Sequence, residues 1–189
     1  MWAGGKLQFH APLFTGQPAT KTTTIQAITQ KTGRTGPLAF VTLCHDIHQS
    51  NTLCITEHQD LVYRQNPDSA APKPTPPTAR TDETHKETHS FSSTELFRYS
   101  ALTMNGHRIH YDETYARDVE GYDGLVTHGP LLAQYLMLLA ERHLGLLKSF
   151  QFRATAPLTH TENATFCTNG NTLWVRAPDG RQCMHATAN

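Results

Sequence analysis

The sequence predicts an α+β fold in which an antiparallel sheet wraps around one long buried helix, and three observations carry that expectation. Residues Pro130 to Leu144 are apolar nearly all round, with Gly129 as a cap, Pro130 at the first helical position and Gly145 as a stop. Strand-like runs follow that helix, the last ones separated by Asn169-Gly170 and Asp179-Gly180, dipeptides that favour tight hairpin turns. Before residue 65 the chain holds three more strand-like runs and no segment of helical length, so a sheet there lacks a cover of its own.

Taken in order, Met1 to Gly16 reads as an irregular lead-in because of its Gly and Pro content. Thr22 to Thr29 is rich in β-branched residues and ends in a turn around Gly33 to Pro37. Leu38 to His45 and Leu53 to Arg64 read as two further strands. Residues 65 to 92 hold five prolines among Ser, Thr, Ala and charged residues, which predicts a linker, extended in its proline part and disordered beyond it. Phe97 to Met104 is strand-like, and Glu113 to Asp118 is a short helix. Beyond the long helix, Lys148 to Pro157 alternates apolar and polar residues. Ala164 to Thr168, Thr172 to Ala177 and Arg181 to Ala188 complete a meander. The predicted organisation is an N-terminal portion over residues 1–65, a linker over 66–92 and a C-terminal domain over 93–189.

Composition narrows the function. The 189 residues carry 16 basic and 16 acidic side chains, so no basic field is available to collect nucleic acid or an anionic membrane surface. Cys44, Cys54, Cys167 and Cys183 form no C-x-x-C pair, and reduced, mostly buried thiols are expected. MWAGGKLQFHAPL lacks the pattern of a signal peptide, and the apolar run Leu131 to Ala140 is too short to span a bilayer. The expectation is a soluble cytoplasmic protein with no membrane partner. No Gly-rich nucleotide loop and no G-x-S-x-G elbow is present.

The chemistry gathers between Leu102 and Gly145. Asn105, His107, His110 and Asp112 fall within eight residues, upstream of the Thr127-His128-Gly129-Pro130 step that opens the long helix. His110, between Ile109 and Tyr111, can exchange a proton near neutral pH. Asn105 and Asp112 could position a water or a substrate group from either side of it, although near a turn the same residues also cap their own backbone. His107-x-x-His110 offers two metal ligands but no third at a diagnostic spacing, so no metal site is expected. Helix N-termini present unpaired N–H groups and a positive partial charge, and the Gly129 N–H could there stabilise an enolate oxygen formed beside a thioester carbonyl. Gly and Pro also simply start helices. Arg98, Arg117 and Arg153 are read as surface charge, and Trp174, Phe150 and Phe152 as core.

The stretch FRYSALTMNGHRIHYDETYARDVEGYDGLVTHGPL resembles the MaoC-like hydratases and dehydratases, especially the branch of fungal and mitochondrial 3-hydroxyacyl-thioester dehydratases and bacterial mesaconyl-CoA hydratase-like proteins. MWAGGKLQFHAPLFTGQ, KTGRTGPLAFVT and EHQDLVYR resemble the end of that branch's first domain. The resemblance implies a double hot-dog fold and reversible addition of water to a 2-enoyl thioester. It implies no metal or redox cofactor, with CoA or a phosphopantetheine carrier as the substrate's handle. The family's R-specific members carry an Asp-x-Asn-Pro-x-His motif whose Asp and His share the catalytic water. Aligned on His110, the Asp position holds Asn105, the Asn position His107 and the Pro position Arg108. His110 thereby inherits the acid and base role. Asn105 takes no proton at neutral pH but can hold the water, and Asp112 stands as an orienting group or substitute base. Gly129 is expected to polarise the thioester carbonyl, and His107, Arg108, Tyr111, Thr127 and His128 to contact the substrate.

Full members of the branch have a longer N-terminal region that supplies the first unit's central helix, and this sequence reads as starting after it. The expected consequence is an incomplete first hot-dog unit that self-associates or pairs with another hot-dog chain. A weakly active or inactive remnant that binds acyl thioesters or serves in assembly is the alternative. A eukaryotic source would place the protein in the mitochondrial matrix.

Overall fold

In the computed structural model, residues 2–33, 36–64 and 75–189 are described. Among these residues nine antiparallel strands form one sheet: β1 (Trp2–Phe9), β2 (Thr20–Gly33), β3 (Gly36–Gln49), β4 (Thr52–Arg64), β5 (His85–Ser90), β6 (Ser149–Ala154), β7 (Asn163–Asn169), β8 (Thr172–Arg176) and β9 (Gln182–Ala188). Their order across the sheet is β2-β3-β4-β1-β6-β9-β8-β7-β5. Three helices, α1 (Ser93–Thr103), α2 (Glu113–Asp118) and α3 (Gly129–Leu144), lie between β5 and β6 in the chain, and a single 3-10 turn at Arg108–His110 separates α1 from α2. The expected architecture of a large antiparallel sheet around a central helix is the one observed.

α3 forms because a Pro in its first turn needs no N–H partner and Gly145, at φ 80°, ends it. Its buried residues Leu131, Leu132, Ala133, Leu136, Leu139 and Ala140 press on Phe150, Phe152, Phe166, Leu173, Val175, Met184 and Ala186 of β6 to β9. Apolar burial of this kind supplies most of the favourable free energy of folding, roughly 1.5–3 kcal/mol for each large side chain. Gln134 and Leu138 remain exposed on one flank, and the last turn, Glu141 to Leu144, is exposed throughout.

Three stretches differ from the sequence expectation. The supposed lead-in is strand β1, which pairs with β4 on one side and β6 on the other and so joins the two halves of the sheet. Its glycines serve close packing rather than a loop: a Cβ on Gly4 would come within 2.7 Å of the Phe152 carbonyl oxygen, and one on Gly5 within 2.9 Å of that of His58. Phe97 to Met104, expected as a strand, forms the rest of α1 as far as Thr103, with Met104 as its C-cap. Ser92 caps that helix by accepting a hydrogen bond from the Glu95 N–H, and Leu96 and Ser100, one turn apart, are its buried residues.

The third difference concerns the Pro-rich region. Its part at 65–74 lies outside the described residues, but the remainder is ordered against the sheet. Ala79 packs on Cys167 and Trp174, the Trp174 indole donates to the Arg80 carbonyl, and Arg176 pairs with Glu83. Strand β5 then adds to β7 as an edge strand. Backbone pairing, which composition does not report, outweighs the polarity of HKETHS.

Cross-strand partners share a face of a sheet, and this fixes what α3 covers. The row Phe152, Gly5, Gln59, Leu43, Ile25 runs from beneath α3 out to β2. Past a bulge in β2, Ile28, Val41 and Leu61 align beside it. Among the described residues no helix covers this outer part, and Ile25 and Ile28 are 65% and 64% exposed.

All four cysteines are free thiols, three of them buried. Burial pushes Cys167 up to about 11 and Cys183 up to about 12. No helix among the described residues is long and apolar enough to cross a membrane.

Candidate active site at the start of the central helix

The site is built where the 3-10 turn meets the segment leading into α3. The Val126 N–H donates to the Ile109 carbonyl, and the Thr127 N–H to that of Leu158, which docks residues 125–128 between the turn and the loop after β6. His110, 7% exposed, comes to lie against this segment. Its Nδ1–H donates to the Val126 carbonyl at 2.7 Å. In the neutral ring that bond leaves the lone pair on Nε2, the arrangement a general base requires. Burial lowers the His110 pKa, the Val126 carbonyl opposes the shift, and His107 adds to it.

His110 and His128 are stacked face to face, with ring centroids 3.7 Å apart and planes at 17°. His128 is fully buried, shares a 2.8 Å hydrogen bond between Nε2 and the Ser100 hydroxyl, and takes the edge of Tyr99. Burial and the neighbouring His110 push its pKa down to about 3. The Thr127 hydroxyl beside it is also buried and has no partner among the described atoms.

Gly129 begins α3, where the first-turn N–H groups have no intrahelical acceptor. A Cβ there would meet nothing within 4 Å, so neither packing nor backbone geometry calls for glycine at this position. From Pro130 an apolar cleft runs past Tyr99, Ala133 and Met137 toward Leu7, Phe150 and Glu57.

The other expected site residues divide. The half-buried Asn105 accepts from the His107 N–H through Oδ1, which leaves its side-chain amide to donate elsewhere. His107 lies edge-on to His110 at 5.8 Å and pairs with Glu120 at 3.0 Å. Asp112 does not reach His110 with a free oxygen: Oδ1 caps α2 by accepting from the Tyr115 N–H, and Oδ2 is paired with Arg108 at 2.6 Å. Those bonds hold its pKa below the usual carboxylate value. Arg108 spreads over the Tyr115 ring, and the exposed Tyr111 donates its hydroxyl to the Gly106 carbonyl.

Sequence reasoning missed Ser100, Tyr99 and Val126. The signal that could have found the first two is Ser92-x-x-Glu95, an N-terminal helix signature that places Ser100 one turn beyond Leu96 on the buried side.

The chain matches the family of hydroxyacyl-thioester dehydratases type 2 over residues 1–160. It is 45% identical over 193 aligned residues to a mesaconyl-C(4)-CoA hydratase of Chloroflexus aurantiacus, covering 99% of this chain and 69% of that one. A mitochondrial hydroxyacyl-thioester dehydratase type 2 of Schizosaccharomyces pombe is 34% identical over 131 residues, which is 65% of this chain and 42% of that one. Among solved structures, HtdX of Mycobacterium tuberculosis superimposes with a TM-score of 0.77 at 16% identity, over 100% of this chain and 76% of that one. At such identity the last match speaks for the fold alone.

Proposed function

Because the chain belongs to the hydroxyacyl-thioester dehydratase type 2 family, we propose that it adds water reversibly across the double bond of a 2-enoyl thioester, with His110 as the proton-transferring residue. The observation that carries the assignment is the His110 Nδ1–H bond to the Val126 carbonyl, which leaves the lone pair of the neutral ring on Nε2, able to take a proton. In the hydration direction Nε2 takes a proton from water as the hydroxide oxygen bonds to C3. The electron pair of the C2=C3 bond moves onto the thioester oxygen as an enolate. The Gly129 N–H and the positive end of α3 stabilise that oxygen, and the imidazolium returns its proton to C2. Proton and hydroxide are then both on the product, and His110 is neutral again.

The free amide of Asn105 holds the attacking water by hydrogen bonding, a role that needs no ionisable group. Asp112 shapes the turn rather than acting as base, since its two oxygens are already engaged. His107, Arg108 and Tyr111, on the exposed side of the turn, face the approach of the thioester's CoA or phosphopantetheine handle. The cleft beyond Pro130 receives the acyl group.

We read residues 93–189 as a hot-dog domain and the strands of 1–65 as belonging to the first unit of a double hot-dog. A second copy of the chain or another hot-dog chain covers the open face of β2 to β4. The relatives' names make mesaconyl-CoA and unbranched 2-enoyl-CoAs the first substrates to test. Purified protein of measured oligomeric state, incubated with that panel, hydrates at least one member, followed as loss of the conjugated thioester's absorbance. A folded, homogeneous preparation that turns over none contradicts the hydratase reading and favours a thioester-binding or assembly role.

A further inference from the structure

His128 stands in the sequence next to the proposed oxyanion donor, which suggests a residue that touches substrate, yet its ring is fully buried. Its contacts are with the protein: Ser100 at Nε2, the edge of Tyr99, and the whole face of His110. We propose that His128 is a positioning residue, whose ring, pinned by Ser100 of α1, forms the fixed wall against which His110 is stacked, keeping the His110 Nδ1–H on Val126 and its Nε2 toward the reacting water. The kinetic consequences rest on the hydratase reading of the site; the structural ones do not.

Two features make the wall neutral as well as rigid. The His128 Nδ1 is buried with no partner among the described atoms. A proton there would leave a donor unsatisfied in the interior, which costs about 1–3 kcal/mol, so the ring carries its hydrogen on Nε2 and donates to Ser100. Two imidazoles at stacking distance also resist carrying charge together. The groups facing the pair are few. Behind His110 stands His107, itself paired with Glu120; Arg108 is turned onto Asp112 and Tyr115; α1 contributes Tyr99 and Ser100. Among the described residues no carboxylate is bonded to either stacked ring, and the pair is held by burial, one hydroxyl and one carbonyl.

The arrangement differs from the common one in which a carboxylate orients a catalytic histidine. A carboxylate would raise the imidazole's pKa and favour its charged form. A neutral stacked ring fixes orientation while leaving the histidine able to stay neutral and basic in mildly acidic solution.

The test uses the whole protein and two readouts. The first is nitrogen-15 NMR titration of the imidazoles in the wild type, which does not depend on turnover. His128 stays neutral from about pH 8 to about pH 5, where an ordinary histidine titrates, and neutral His110 shows the Nδ1–H tautomer. Titration of His128 in that range, or an Nε2–H tautomer for His110, overturns the proposal. The second readout is the pH profile of hydration by His128→Ala, His128→Phe and Ser100→Ala. His128→Ala lowers kcat about 10-fold or more with KM within about threefold, and moves the acid limb upward toward the ordinary imidazole value. His128→Phe, which restores a flat ring, recovers most of kcat. Ser100→Ala reproduces the upward shift to a smaller extent and carries the test if His128→Ala is unfolded. Variants that lose only active fraction, with the acid limb unmoved, overturn the proposal. A wild type that hydrates no enoyl thioester removes the hydratase reading instead, while the titration still decides whether His128 positions His110.

Discussion

The chemistry proposed for His110 rests on one hydrogen bond and one stacked ring. Because burial lowers its pKa, the base form persists below the usual value of about 6.5, and kcat/KM falls on the acid side only below that pH. An acid limb at or above the ordinary value would contradict the assigned surroundings. His128 adds a stability effect of the same sign. Its folded pKa, about 3, lies below its unfolded value, so the unfolded chain binds more protons between the two and stability falls as pH drops through that window. Asp112 gives a contrasting expectation: Asp112→Ala removes a helix cap and costs about 0.5–2 kcal/mol in a denaturant titration, with kcat of the folded enzyme retained within about threefold. A far larger loss in kcat would restore the carboxylate as a base. Asn105, His110 and Gly129 were singled out in the sequence as candidates because they lie in short motifs, and their roles stay proposals. Ser100 and Val126 were not, because their contacts with His128 and His110 close over 28 and 16 residues and depend on how α1 and the 125–128 segment dock.

At the scale of elements, α3 and the meander after it were legible because burial on nearly every side and two hairpin dipeptides are strong local signals. α1 was read as a strand because FRYSALTM is rich in aromatic and polar alternation. Its cap at Ser92 and the burial of Leu96 and Ser100 decide for helix, and Phe97, Leu102 and Met104 are left exposed. β1 shows the opposite failure, in which glycines that suggest a loop instead admit a strand between two neighbours. Gly4→Ala places a methyl 2.7 Å from the Phe152 carbonyl oxygen and costs about 1–3 kcal/mol in a denaturant titration. A neutral outcome would mean that β1 does not sit tightly against β6. The Pro-rich region misled by composition: polarity argued against burial, yet Ala79 and strand β5 find partners on β7 and β8.

At the scale of the molecule, the helices among the described residues cover the sheet over β6 to β9. The face that α3 occupies over β6 to β9 continues across β1, β4, β3 and β2 with Leu7, Leu61, Leu43, Val41, Ile28 and Ile25, and Tyr63 near its end is 57% exposed. Apolar surface of this extent favours association. Light scattering behind size exclusion is expected to give a mass above the 21.1 kDa of one chain, reduced toward it by Ile25→Asp with Ile28→Asp. A monodisperse monomer would contradict a covered face. The nine-stranded continuity of the sheet was not legible in the sequence, because register and the sharing of β1 between β4 and β6 are long-range choices. The central claim joins all three scales: a buried, Nε2-bare His110 at the head of α3 performs proton transfer on an enoyl thioester. The most direct test compares hydration of the best enoyl-CoA by wild type and His110→Ala at matched fold and oligomeric state. The account predicts a loss in kcat/KM of about 100-fold or more, in the range of general acid–base catalysis. Retention of activity within about threefold would contradict it.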